Sequence, residues 1–377
     1  MTGLTTAIIL QGGGALGAYQ AGVFEQLAAE AHCPDWVIGT SIGAINGAII
    51  AGNKPEHRVA QLKSFWQSLA PQASWLDSMV PAAWTEMFNP FSPYFAIASK
   101  NSEVLAAMVR GVDGFFQPRF GASFDLNAQV GVEQAGFYDT APLRQTLLNH
   151  VDFAYLNAGP IRLSVCAVDV ETAELRVFDS ARETLRPEHI MASGALPPAF
   201  PPIVIDGRAY WDGGIYSNTP LEVLLAEASD RDALVFMIDL WDPTEALPTT
   251  MAEVINRAKD IQFAGRATAQ IAQQAKIEAL QRTIRELSAL VPEPSMEDGE
   301  VATLALQGRD RTVSVVRLVL KAFATDNQFK DVDFSADAVK ARWSAGMSDA
   351  ARALKHKSWL KPLPPHAGLV IHELDQL

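Results

Sequence analysis

The first fifty residues constrain the fold most. Thr5 to Gln11 reads as a buried strand, Ala15 to Glu30 as a helix, Asp35 to Thr40 as a second strand and Ile42 to Ala51 as a second helix. Alternation of this kind over such short spans is a βαβα opening. Both strand-to-helix turns are rich in glycine. The first is Gln11-Gly12-Gly13-Gly14-Ala15-Leu16-Gly17, and the second is Gly39-Thr40-Ser41-Ile42-Gly43.

Regularity resumes at Ile161 to Val168, a near-continuous apolar strand, and the Glu171-Thr172-Ala173 turn can fold Leu175 to Phe178 against it as a hairpin. Ile203 to Ile205, Ala209 to Trp211 and Leu234 to Leu240 read as further strands. Helices are expected from Pro187 and Pro220, because proline is tolerated in a first helical turn. The fold class is therefore α/β, a three-layer α/β/α sandwich on a largely parallel sheet spanning residues 5–240. Inside it, residues 54–140 read as an aromatic-rich insertion carrying Trp66, Trp75, Trp84, Phe88, Phe91, Tyr94 and Phe95. Plain packing and an acyl-chain pocket or lid are both open readings of it.

Composition shifts at Asp242, and residues 241–377 read as a mostly helical C-terminal region. Met251 to Leu290 is a long helical stretch whose Ile255, Ile277, Leu280, Ile284 and Leu287 suit one buried stripe, with a break expected near Gly265. Thr312 to Leu320 reads as a strand, and Ser335 and Ser348 as caps of two short helices. This region either completes the core or forms an oligomer interface.

Of the 377 residues, 49% are hydrophobic and 19% charged, the balance of a folded chain with a large core. A net charge of -13 opposes a phosphate backbone, which excludes nucleic acid as an expected partner. It also disfavours adsorption to anionic lipid by charge alone. Apolar insertion leaves peripheral membrane contact open. The two cysteines, Cys33 and Cys166, lack metal-ligand spacing and read as buried thiols. The N-terminus reads as a strand and not a signal, and no window of 18 apolar residues offers a membrane-spanning helix. The expected location is cytoplasmic, with contact at the inner membrane face left open.

Gly39 to Gly43 is a GxSxG pattern between a strand and a helix, the context that makes it a nucleophile elbow for Ser41. Its bland alternative is an ordinary Gly/Ser turn. In the first turn, successive N–H groups of Gly12, Gly13 and Gly14 and a helix N-terminus converge, which suits an oxyanion hole. Gly12, Gly14 and Gly17 also satisfy the dinucleotide fingerprint GxGxxG. That reading needs an acid at the end of the second strand, where Thr40 and Ser41 stand instead.

Ser41 needs a base. None of His32, His57, His150, His189, His356, His366 and His372 lies in a suggestive cluster, although the last three keep the Ser-Asp-His order of α/β-hydrolases. Asp212, in Trp211-Asp212-Gly213-Gly214, is the better candidate, with a plain turn as its alternative. Desolvation beside Ser41 would raise its basicity above that of a free carboxylate.

A glycine-rich loop, GxSxG and Asp-Gly-Gly in this order resemble the patatin-like phospholipase family. Ala192-Ser193-Gly194-Ala195-Leu196-Pro197-Pro198-Ala199-Phe200-Pro201-Pro202 is similar to that family's small-residue and proline block. The resemblance spans about residues 5 to 240, and the tail from Asp242 is similar to a C-terminal region of some bacterial members. It implies Ser41 as nucleophile, Asp212 as base, an oxyanion hole at Gly12, Gly13 and Gly14, and no metal or organic cofactor. The implied activity is hydrolysis of lipid esters through an acyl-enzyme. Many members carry Arg or Lys in or after the loop, whereas Ala15, Leu16, Gly17 and Ala18 stand here, so neutral esters and thioesters stay open as substrates. A lipid-binding or scaffold protein without activity is the alternative of another class.

Overall fold

The computed structural model describes residues 4–70, 109–119, 127–227, 231–292, 299–323, 326, 328–360 and 367–374. Most of the aromatic-rich insertion, including Trp75 to Phe95, lies outside the described residues. Trp66 lies inside them and is core, its indole N–H donating to Asn46.

β1 (Thr5–Leu10) leads through a 3-10 turn (Gly14–Gly17) into α1 (Ala18–Ala29), β2 (Trp36–Thr40), α2 (Ile42–Ala51) and α3 (Arg58–Ser68). A small hairpin of β3 (Gln117–Pro118) and β4 (Tyr138–Asp139) precedes α4 (Ala141–His150) and α5 (Phe153–Ala158). Then come β5 (Arg162–Asp169), β6 (Leu175–Asp179), α6 (Pro187–Ser193), β7 (Ile203–Ile205), β8 (Arg208–Asp212), α7 (Leu221–Leu225) and β9 (Ala233–Asp239). The C-terminal region adds α8 (Met251–Ser288), α9 (Gly299–Ala305), β10 (Val313–Val319), α10 (Ala336–His356) and β11 (Leu369–Glu373).

β11, β10, β9, β1, β2 and β5 run parallel in that order, and β6 closes the far edge of β5 as the expected antiparallel hairpin. Side chains alternate across this sheet with the period of two that strands impose. Ile8, Leu10, Val37 and Phe236 pack under α1, α2, α3 and α10, while Ala7, Ile9, Ile38 and Met237 pack against α7 and Ile271 of α8. Helices therefore cover both faces, giving the three layers. The chain leaves β1 toward β2 and later returns to its other side as β9. The carboxyl ends around β1 are thus a topological switch point, where sites in open α/β sheets form.

Register explains how β8 reaches that end. Thr40, the last residue of β2, pairs with Cys166 of β5, and Asp212, the last residue of β8, pairs with the next residue, Ala167. Cys166 and Ala167 both pair with β6 on one edge, so β2 and β8 share the other edge and meet end to end.

Four expectations change. α8 runs unbroken past Gly265, which is exposed with open space around its Cα. Its buried stripe is Asn256, Asp260, Ala264, Ala267, Ile271 and Glu278, while Ile277, Leu280 and Leu287 are exposed and Ile255 and Ile284 only partly covered. The inversion arises because the two acids are paired inside, Asp260 with Lys330 and Glu278 with Arg311, each at 2.6 Å. Ser335 caps one 21-residue helix, α10, and Ser348 lies within it instead of opening a second. Cys33 is exposed in the turn between α1 and β2, and only Cys166 is a buried thiol.

Candidate active site

Ser41 stands between β2 and α2 with φ 56° and ψ -124°, a conformation that costs a non-glycine residue about 1–3 kcal/mol and is retained only where its surroundings enforce it. The enforcement is steric. A Cβ on Gly39 would lie 2.4 Å from the Gly43 carbonyl oxygen, and one on Gly43 would lie 2.2 Å from that of Leu10. β1, β2 and α2 close on one another here with no room for a methyl group, so the chain bends and lifts Ser41 out of the sheet. The Ser41 N–H donates to Oγ of Ser193, at the end of α6, over 2.9 Å.

Asp212 faces Ser41 across the junction of β2 and β8. The Gly214 N–H donates to its carboxylate at 2.7 Å, and the Ser41 hydroxyl lies close enough to favour the charged form. Only 2% of the residue is exposed, and burial pushes its pKa up to about 7, against the pull of those two donors. Gly213 lies against the Cys166 carbonyl and Gly214 against Asn218, while Gly17 packs on Ile42, the residue after Ser41.

The glycine loop closes the third side. A Cβ on Gly12 would come 3.1 Å from that of Ser41 and 2.4 Å from Oδ1 of Asn218. The Gly12 N–H donates to the Asn218 carbonyl at 3.3 Å, and the Gly12 carbonyl accepts from Nδ2 of Asn218 at 3.0 Å. Asn218 thereby ties the glycine loop to the Asp-Gly-Gly loop. The N–H groups of Gly13 and Gly14 donate to nothing among the described residues. Of the three donors expected from the sequence, Gly12 is thus taken up by Asn218, and Gly13 and Gly14 keep theirs unspent among the described residues.

The described histidines lie elsewhere. His189 accepts from the Arg186 N–H, His150 bonds Gln61, and His372 on β11 bonds Ser314 of β10. β11 is four strand spacings from β2, roughly 19 Å. His32 meets Phe236, His57 and His356 are exposed at helix ends, and His366 lies outside the described residues. Among the described residues, no group of three His, Cys, Asp or Glu is placed to hold a metal ion.

The profile described as patatin-like phospholipase matches residues 8–225. The chain belongs to the patatin-like phospholipase family. All three patatin motifs fall inside that match, and a second profile, described as patatin phospholipase, matches residues 261–366. Among solved structures the chain is similar to VipD from Legionella pneumophila, with 14% identity and a TM-score of 0.39 over 93% of this chain and 67% of that one. It is also similar to the type III effector protein ExoU, with 11% identity and a TM-score of 0.32 over 94% of this chain. It spans about half of that second protein, 53% of its length. No curated protein matches significantly.

Sequence reasoning missed several residues of this patatin-like site. Ser193 and Asn218 lie in stretches that drew attention for their glycines and prolines, and nothing local marks them as partners of Ser41 and Gly12. Gln11 is another: its side chain donates to Thr219 at 2.8 Å and accepts from the N–H groups of Leu240 and Trp241.

Proposed function

We propose that this protein is a serine acyl hydrolase acting on lipid esters, with Ser41 as nucleophile and Asp212 as the sole base. The observation that carries this reading is the buried Asp212 carboxylate held at the end of β8 against the end of β2, beside Ser41 at a strained elbow. As Oγ bonds to the ester carbonyl carbon, its proton passes to Asp212, and the carbonyl electron pair moves onto oxygen. The Gly13 and Gly14 N–H groups hold that oxyanion, each donor being worth about 3–4 kcal/mol in the transition state. Collapse expels the alcohol, which takes the proton from Asp212. Water then repeats the sequence on the acyl-enzyme, freeing the acid. A base with a pKa near 7 is matched to this work at neutral pH.

Phospholipid is favoured over a neutral ester by Arg266 of α8. Its guanidinium donates to the Ile215 carbonyl at 2.6 Å, three residues past Asp212, and forms no ion pair among the described residues. It offers the cation that the glycine loop lacks, and contact with a membrane surface follows from such a substrate. The test is hydrolysis of a chromogenic acyl ester and of a panel of lipid classes, with fluorophosphonate labelling. Ser41→Ala and Asp212→Asn are expected to abolish turnover while circular dichroism stays unchanged. A folded wild-type protein that is not labelled at Ser41 would sink the reading in favour of a lipid-binding scaffold.

A further inference from the structure

The C-terminal region grips the glycine loop from three directions. The Asp331 carbonyl accepts from the Ala15 N–H at 2.8 Å and presses on Gly14, whose φ is +55° and whose Cβ, if present, would be 2.2 Å from that oxygen. Arg342 of α10 donates through Nη1 to the Ala15 carbonyl at 3.3 Å and to that of Asp333 at 2.8 Å. Trp241 donates its indole N–H to the Gly12 carbonyl at 2.8 Å.

Each grip is itself braced. Lys259 of α8 holds both carboxylate oxygens of Asp331 and the carbonyl of Gln328. Trp241 stacks on Phe263 and lies under the ammonium of Lys330, which is paired with Asp260. Arg342 is 2% exposed, and its ion pair with Asp326 is 3.7 Å long. Burying a guanidinium is expensive, and here it bridges the Ala15 carbonyl of the glycine loop to the Asp333 carbonyl of the segment before α10.

We propose that Arg342 and Trp241 are positioning residues that, with the Asp331 carbonyl, fix the glycine loop so that the Gly13 and Gly14 N–H groups meet the developing oxyanion. This rests on the hydrolase reading above and gives the C-terminal region a role in that reaction. Oxyanion donors act through their fixed placement, so loosening the loop lowers turnover and leaves ground-state binding alone.

The test uses the full chain with Arg342→Lys and Trp241→Phe; the second variant keeps an aromatic face toward Phe263 and removes the N–H together with the five-membered ring. Hydrogen exchange of the peptide covering residues 11–18 is measured in the free protein, alongside kcat and KM for a chromogenic ester normalised to labelled Ser41. Both variants are expected to exchange faster in that peptide and not throughout, with kcat down roughly 10–100-fold and KM within about twofold. Exchange that is unchanged, or raised uniformly with kcat per labelled serine intact, overturns the proposal. Should the wild type hydrolyse nothing through Ser41, the hydrolase reading falls, while the exchange result still decides whether these residues hold the loop.

Discussion

Asp212 is asked to be both buried and charged, and that conflict is measurable. Its folded pKa of about 7 lies above the ordinary 3.8, so the folded protein keeps a proton that the unfolded chain releases. The stability this contributes is fully present below the ordinary value and is lost as pH rises through 7. At pH 8 the ionised carboxylate opposes folding by up to about 4 kcal/mol, at 1.36 kcal/mol per unit. Asp212→Asn keeps an acceptor for Gly214 and removes the charge. It is therefore expected to be more stable than wild type at pH 8 in urea denaturation, with the advantage gone by pH 4. In the wild type, kcat/KM should rise to a plateau with an apparent pKa near 7. A limb near 4 with no stability gain in the variant would mean that Asp212 is better solvated than its surroundings imply.

Among the elements, those whose signal is local were legible from the sequence and those defined by distant partners were not. The elbow at Ser41 was readable because strand, serine, glycines and helix are contiguous, and Asp212 because a strand ends there in two glycines. α8 was misread on its buried face because periodicity treats acids as surface residues. Asp260 and Glu278 are buried because Lys330 and Arg311 arrive from 70 and 33 residues away. The continuity of α10 across Ser348 is likewise a tertiary effect, since its Gly346 must lie against α1, where a Cβ would be 2.1 Å from the Tyr19 carbonyl oxygen. The buried pair on α8 yields its own prediction. Glu278 and Arg311 are each 3% exposed, and the Arg311 guanidinium also donates to the carbonyls of Leu225 and Glu227. Glu278→Ala removes the counter-charge of this buried guanidinium and is expected to cost about 3–5 kcal/mol in chemical denaturation. A loss below about 1 kcal/mol, the range of surface pairs, would contradict the burial of this contact.

At the scale of the whole molecule, the sheet crosses the boundary that composition marks near residue 240. β10 pairs along the full length of β9, β11 extends β10, and α10 lies against α1. Asp239, at the end of β9 and 0% exposed, is paired with Arg317 of β10 at 2.7 Å and accepts from Thr219, which in turn binds Gln11 of the glycine loop. A chain ending at residue 240 would keep Ser41, Asp212 and every family motif, yet it would leave Asp239 buried without its cation. It would also present β9 as a bare edge of seven buried residues, apolar from Ala233 to Ile238. Unpaired apolar edges associate with one another, and an orphaned buried carboxylate is costly. Residues 1–240 expressed alone are therefore expected to aggregate or to lack a cooperative melt, and to show no labelling at Ser41. A soluble, cooperatively folding and labelled fragment would mean that the catalytic layers are self-sufficient and that the C-terminal strands are an accessory.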